Sequence, residues 1–570
     1  MINIRKKIRQ SFTDFNPNKL INYYNFIGGM NLKSYSGEKS IVSMPLRGGI
    51  MRFLLCLFLL VCLSGTALAV NIPAGHVSGY NLNSAGTTYV LTGNILANTN
   101  AFSITANNVV LDGKGYSIDC GLTGAGVGIT CSNHRNVTIK NVRVIQHNSS
   151  TSSDGIRVQN SANILISNCS ASSIAGSGMY ITGSAATIDR CKTSSNKGIP
   201  LYIVAGNSQI TSCSAVSSSN TAIYIANSKN NIVSNCIGHS NTGSGIEFRS
   251  SNNNKVSNCA GYSNTSHGLA FTSCRKNNVR ASSGYSKAND RGSGIFLTGS
   301  SNNIFTNCTG SSYLYAGIYL YGASTYNTFI NCLGESYGRQ SLDQGIWFKF
   351  PSAASSGTNV YTNCISRSPL ATTSNDPKKI TFLNIGDSIT AGSATGLPHG
   401  AYVYYANLTL SKSGYVFYNV GLGGETSESG RLRFLDEMAL FKPKYVTILY
   451  GANDLRHSRP QQSIINDILW MASQAKAHGA TPIILLTPAK GSLKEIIYLD
   501  QNLSKQALAA GYKVFNVYDL IDTVPNNSKY DGFNSTNYLP KDGTHPNQAA
   551  NKLIGDTFAK YIVTLTSKMG

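Results

Sequence analysis

Four short stretches in the last third of the chain carry residue types that can do nucleophilic chemistry together. Gly386-Asp387-Ser388 offers a hydroxyl, and Gly421-Leu422-Gly423-Gly424-Glu425-Thr426 a glycine turn. Gly451-Ala452-Asn453-Asp454 offers a carboxamide, and Asp542-Gly543-Thr544-His545-Pro546 an imidazole with an acid three residues before it. A serine is a poor nucleophile and needs a base. His545 can take the Ser388 proton on one ring nitrogen while Asp542 holds the other, which is the logic of a Ser-His-Asp triad. A tetrahedral oxyanion needs donors already aimed at it. The backbone N–H groups of Ser388 and Gly424 and the side-chain amide of Asn453 suit that task, and glycine at 424 lets the backbone approach closely. Among the neighbours, Asp387 reads as a partner of its local backbone and Asp454 as a loop-ordering residue. His457 and His399 read as solvent-facing.

Something must bring these four stretches together. Strand-like runs at 380–385, 416–420, 445–450, 483–487 and 513–518 alternate with amphipathic stretches at about 400–412, 428–441, 461–478, 494–510 and 547–566. Strict alternation of strand and helix means a parallel sheet covered by helices on both faces. Sites in such folds lie at the carboxyl ends of the strands. Each of the four stretches follows a strand, so all four are expected on one rim.

With the four blocks in order, residues 378–570 resemble the SGNH, or GDSL, hydrolase family of esterases and acyl hydrolases. The resemblance implies an α/β three-layer, flavodoxin-like fold and hydrolysis of carboxylic esters without cofactor or metal. It implies Ser388, Asp542 and His545 as the catalytic residues, and Ser388, Gly424 and Asn453 as the oxyanion hole. The connections around the rim are short apart from 525–541. An open, shallow site for short acyl groups is therefore expected.

The middle of the chain repeats. Cys169, Cys191, Cys213, Cys236 and Cys259 recur every 22 or 23 residues, and after one skipped turn come Cys308, Cys332 and Cys364. Beside them run a small-residue column (Gly155, Gly178, Ala222, Gly245, Gly268, Gly294, Gly317, Gly345) and an asparagine column (Asn231, Asn254, Asn278, Asn303, Asn327). Each repeat holds short stretches alternating with period two, separated by Gly and Asn where turns need positive φ. Such a unit is one coil of a parallel β-helix; a single coil cannot bury its inward face, and stacking supplies the core. Equivalent residues then stack at about 4.8 Å. The cysteines read as small buried hydrophobes; Cys120 and Cys131 are the pair whose placement best permits a bridge. No metal column is expected, because His76, His134, His147, His239 and His267 share no repeat position.

About residues 76–368 resemble the right-handed parallel β-helix superfamily, which includes pectate lyases and periplasmic copper-maturation proteins; Asn107-Asn108-Val109-Val110-Leu111-Asp112-Gly113 matches the opening coil of many members. The nine acids between 71 and 377 are scattered. Neither a paired-carboxylate site nor a calcium-assisted lyase site is supported, and a copper-handling role is remote. Outward tyrosines and a tryptophan (Tyr224, Tyr262, Tyr285, Tyr319, Tyr321, Trp347) could stack on sugars, although ordinary strand surface uses the same residues.

Composition agrees with this division. Only 13% of the 570 residues are charged and 55 are glycine. The net charge of +22 is spread along the chain, so no nucleic-acid-binding arm is expected. Met51-Arg52, an apolar run from Phe53 to Leu63 and Ala67-Leu68-Ala69 make a secretory signal with cleavage after Ala69. No integral membrane span is expected once it is removed. The organisation expected is therefore an over-called extension at 1–50, a signal at 51–69, a right-handed parallel β-helix at 70–373, a linker at 374–378 and the hydrolase domain at 379–570. The function expected is a secreted or cell-surface serine esterase acting on an ester substrate with short acyl groups, acetyl esters on polysaccharide or cell-envelope glycan being one candidate. The β-helix would bind or position the glycan. The alternative is a surface adhesion or structural β-helix protein with a minor or vestigial hydrolase domain.

Overall fold

The computed structural model describes residues 69–149, 153–289, 291–337, 346–349, 359–367, 376–392, 401–488, 494–521 and 544–567. The extension expected at 1–50 and the signal expected at 51–69, Ala69 apart, lie outside the described residues, as do Gly345, His399 and Asp542.

Residues 69–367 form a parallel β-solenoid, as the repeat period requires. One face is a stack of thirteen short parallel strands running from Gly75–Val77 to Ile365–Arg367. Two further stacks are joined through one long strand, Ile156–Ser167, which bends from one face to the next. The register steps once per coil, so Tyr180 pairs with Tyr202, Tyr202 with Tyr224 and Tyr224 with Glu247. Inward positions stack like on like. Phe248 lies on Phe271 with centroids 5.1 Å apart, and Phe305 on Phe329 at 5.0 Å. Burying a phenylalanine contributes about 1.5–3 kcal/mol, and such ring pairs add to that.

The corner before the cysteine column explains why asparagine recurs there. Asn168, Asn235, Asn258, Asn307, Asn331 and Asn363 each precede a column cysteine and have φ between 51° and 54°. Asparagine tolerates this left-handed conformation better than other non-glycine residues. The cysteine then turns inward. Cys236 Sγ donates to the carbonyls of Ile210 and Ser234. All eleven described cysteines are free and buried. Cys120 and Cys131 therefore form no bridge; burial pushes the Cys120 thiol up to about 12. The skipped turn is filled by Ser282, whose hydroxyl accepts from the Cys259 N–H.

The asparagine column is a hydrogen-bonded ladder with one correction. Its third member is Asn277, not Asn278. Asn278 sits in a strand, exposed, opposite Lys255 and Ile304. Asn277 is buried and links Asn254 to Asn303. Two adjacent asparagines made the sequence ambiguous by one residue, and one residue reverses the face. The ladder runs on through Asn327 to Asn359.

The C-terminal domain is a five-stranded parallel sheet between helices. Its elements are β1 (Ile380–Gly386), α1 (Ser388–Ala391), α2 (Tyr402–Leu410), β2 (Tyr415–Asn419), α3 (Ser427–Phe441), β3 (Tyr445–Leu449), α4 (Ala452–Arg456), α5 (Gln461–Ala477), β4 (Thr481–Leu485), α6 (Lys494–Ala509), β5 (Lys513–Phe515), α7 (Tyr518–Ile521) and α8 (Gln548–Ser567). The strand order is β2-β1-β3-β4-β5. Side chains alternate between two cores, as period two demands. Phe382, Ile483 and Leu485 face α2 and α8. Leu383, Ile385 and Ile484 face α3, α5 and α6, in a core continuous with that of the solenoid. The five expected helices are present within one or two residues; α1, α4 and α7 were too short to show in the sequence pattern. No helix among the described residues is long and apolar enough to cross a membrane.

Candidate active site

The strand order reverses on either side of β1, and ligands bind at such switch points. Ser388 stands there, first residue of α1. Asp387 caps that helix, its Oδ1 accepting the Ile389 N–H at 2.9 Å. This is the local-backbone role expected of Asp387. Its Oδ2 finds no hydrogen-bond partner among the described residues. Burial, reinforced by the nearby carboxylates of Asp454 and Glu425, pushes its carboxyl up to about 7.

His545 reaches the same point from the loop before α8. Its Nε2 lies 2.7 Å from Ser388 Oγ across 157 residues of sequence. Asn551 holds that loop: its amide donates to the Pro546 carbonyl at 2.8 Å while its oxygen accepts the Tyr402 N–H of α2 at 3.0 Å. Asn551 was not singled out from sequence. A buried asparagine one turn into a helix is the signal that marks it.

The glycine turn after β2 is stitched to both neighbouring loops. Leu422 N–H donates to the Gly386 carbonyl at 2.9 Å. Asn453 Nδ2 donates to the Glu425 carbonyl at 3.0 Å. Between these anchors Gly424 is exposed with φ 78°, and a Cβ there would meet nothing within 4 Å. The conformation demands glycine and the space above it is open. Asn453 is nearly buried at the start of α4. Gly451 before it has φ 134°, and a Cβ there would lie 2.7 Å from Leu499 Cδ2. Asp454 accepts the N–H and hydroxyl of Ser427 and pairs with Arg459, so it fixes the start of α3. His457 is exposed, as expected, and its Nδ1 lies 2.7 Å from the Asn453 carbonyl.

Beneath the turn lies a charged network that the sequence motifs do not announce. Arg433 of α3 is 1% exposed and donates to both carboxylate oxygens of Glu425, to Glu437 and to the Val420 carbonyl. Tyr450 donates to Glu425 as well, at 2.7 Å. Burial opposes the Arg433 charge, but Glu425, Tyr450 and Glu437 hold the guanidinium above its ordinary value. The i,i+4 spacing of Arg433 and Glu437 was the visible hint.

The solenoid tyrosines divide between faces. Tyr262 and Tyr285 lie on the thirteen-strand stack. Tyr224 belongs to an outward column with Arg157, Tyr180 and Tyr202. Its rings follow each other at 5.0 and 5.2 Å. A groove of about 430 Å³ beside them is lined by Asp154, Arg157, Gln159, Tyr180 and Tyr202. Tyr319, expected outside, is buried: it packs with Tyr315 and Ala316 against Leu422. Trp347 is in register with Tyr319. Among the described residues no group of three His, Cys, Asp or Glu could hold a metal ion.

Comparison with known proteins follows the same division. Residues 385–553 match the model of the GDSL-like lipase/acylhydrolase family. Residues 125–280 and 180–333 match that of the right-handed beta helix region. Esterase TesA of Pseudomonas aeruginosa is 34% identical over 108 residues, 18% of this chain and 53% of that protein. The uncharacterized lipoprotein YqeF of Bacillus subtilis is 31% identical over 83 residues, 14% of this chain and 34% of that protein. The chain thus spans about a third and about half the length of these curated relatives. Among solved structures, a putative lipolytic protein of the G-D-S-L family from Desulfitobacterium hafniense DCB-2 is 22% identical with a TM-score of 0.28, over 32% of this chain and 99% of that one.

Proposed function

From a chain that joins a right-handed β-helix region to a GDSL-like lipase/acylhydrolase domain, we propose a serine esterase, exported by its leader, that removes short acyl groups from a polysaccharide. The single observation carrying this reading is the 2.7 Å approach of His545 Nε2 to Ser388 Oγ at the sheet's switch point.

The chemistry follows from that contact. Ser388 Oγ attacks the ester carbonyl carbon while His545 Nε2 takes its proton. The carbonyl oxygen becomes an oxyanion, facing the N–H groups of Ser388 and Gly424 and the amide of Asn453. Asn453 spends one of its two amide hydrogens on Glu425, which leaves the other for this oxygen. The tetrahedral intermediate collapses, His545 returns the proton to the alcohol oxygen, and an acyl-Ser388 remains. Water, deprotonated by His545, then releases the acid and restores the serine. In this reading Asp542 holds His545 Nδ1 and keeps the right tautomer.

The tyrosine column supports the polysaccharide part of the reading. Aromatic faces with polar edges suit sugar rings. The Asp154, Arg157 and Gln159 side chains add hydrogen-bonding groups beside Tyr180 and Tyr202. The test is hydrolysis of acetylated polysaccharides and of p-nitrophenyl esters from two to twelve carbons by the purified chain from residue 70, with Ser388→Ala as control. Loss of activity in the variant and preference for the two-carbon ester are expected. No activity in either form would leave a structural or adhesive protein, and preference for long chains would sink the acetyl assignment.

A further inference from the structure

Leu422 belongs to the hydrolase domain, yet its side chain is buried against the solenoid. It is 4% exposed and packs in a cluster with Tyr315, Ala316 and Tyr319, with Phe296 and Tyr321 at the edge. Among the described residues, Leu422 is the one member of this cluster from the hydrolase domain. Its N–H is bound to the Gly386 carbonyl, two residues before Ser388. Gly424, two residues further on, is exposed and left-handed, and the Glu425 N–H donates back to the Leu422 carbonyl across it at 3.3 Å. The turn is pinned on one side by the Asn453 amide on the Glu425 carbonyl. On the other side it is pinned by Leu422, whose side-chain wall comes from another domain.

We propose that Tyr319, with Tyr315 behind it, is a positioning residue for the oxyanion turn, so that the solenoid completes the hydrolase site. The proposal rests on the ester-hydrolase reading of Ser388. Tyr315 meets Tyr319 edge-on at 5.3 Å, and Phe296 lies 5.5 Å from Tyr319 on the other side. The tyrosine is therefore held in place before it meets Leu422. Packed aromatic rings from two neighbouring coils back a turn whose amide must stay aimed at a developing charge. An oxyanion donor acts only if it is fixed before the reaction, and losing one costs about 10²–10³ in kcat. A donor loosened but not lost should cost less.

The test uses the full chain and a small soluble ester, p-nitrophenyl acetate, which needs no polysaccharide contact. Tyr319→Ala should lower kcat about tenfold with KM nearly unchanged, and Tyr319→Phe should restore it. Leu422→Ala should lower kcat alike, and the double variant should be no worse than either single one. Tyr262→Ala, on another face of the solenoid, should behave as wild type. A fluorophosphonate that labels Ser388 separates positioning from loss of fold. A slower labelling rate at full final labelling supports the proposal. Reduced final labelling at the wild-type rate overturns it, as does an unchanged kcat. Should Tyr319→Ala fail to fold, Tyr319→Leu and Leu422→Ala carry the same comparison. An inactive wild type would defeat the esterase reading itself, whereas an active wild type matched by Tyr319→Ala defeats only this inference.

Discussion

Asn359 donates twice to Asp436: its backbone N–H to Oδ1 at 3.0 Å and its side-chain amide to Oδ2 at 3.1 Å. Asn359 is the last described rung of the solenoid's asparagine ladder, and Asp436 lies on α3 of the hydrolase domain. A solenoid must cover its terminal coil, because an open end exposes unpaired backbone and core. Here the enzyme domain serves as the cover. The same helix begins at the glycine turn after β2 and carries Arg433, so one element closes the solenoid and floors that turn.

Asp436→Ala should destabilise the protein by about 2–3 kcal/mol, because the buried Asn359 backbone N–H loses its acceptor and the side-chain amide, which also donates to the Ser324 carbonyl at 3.1 Å, loses one of its two. Urea denaturation of this variant, of Asn359→Ala and of the double variant checks it. Additive losses would mean that the two side chains do not act as a pair.

Stability should fall as pH rises from 5 to 9. Burial raises the Asp436 carboxyl to about 8 and that of Glu437 to about 7. Between the ordinary carboxylate range and these values the folded chain binds protons that the unfolded chain has released. The stabilisation from these groups is complete below the unfolded values and is lost as pH passes 7 to 8. Thermal unfolding across that range should show the decline, and Asp436→Asn should make it shallower by removing one of the contributing carboxyls.

Ser388→Ala and His545→Ala should each lower kcat by about 10⁴-fold or more, and the double variant should be little worse, since members of such a unit do not act independently. Steady-state hydrolysis of p-nitrophenyl acetate measures this. Multiplying losses in the double variant would argue against proton transfer between the two.

Gly424→Ala should keep its fold and lose activity. Its φ of 78° costs an L-residue about 1 kcal/mol, and the open space takes the methyl without collision. A Tm within a few degrees of wild type, with kcat at least tenfold lower, is expected, because the methyl enters the open space above the turn; a fully active variant would show that the ester does not use that space.

Reducing agents should leave the Tm of the chain from residue 70 unchanged, because its described cysteines are free and buried. A thiol reagent should find none of the eleven in the native protein and all of them after denaturation. A fall in Tm on reduction would reveal a bridge.

Much of this was legible from sequence, and the reason is local. A coil repeats because inward residues must meet the same residues one turn on, so Cys169 to Cys364 and the asparagine column are periodic by necessity. The glycine at 424 and the asparagines at the corners are demanded by backbone conformation, which a single residue type betrays. Strand ends in an alternating β/α chain share one rim, which put Ser388, Gly424, Asn453 and His545 together before any coordinates.

Other features could only be decided by the tertiary structure. Asn277 and Asn278 differ only in which face the chain turns inward. Tyr319 resembles its outward neighbours in sequence, yet it is buried in a cluster with Tyr315, Ala316 and Leu422. Asp436 is 77 residues from Asn359 and looks like any helix-surface acid. The last two are single meetings between different domains, made once and repeated nowhere. Periodicity and backbone preference record what a residue does for its own coil or strand. They carry no trace of a partner that arrives only when two finished domains pack together.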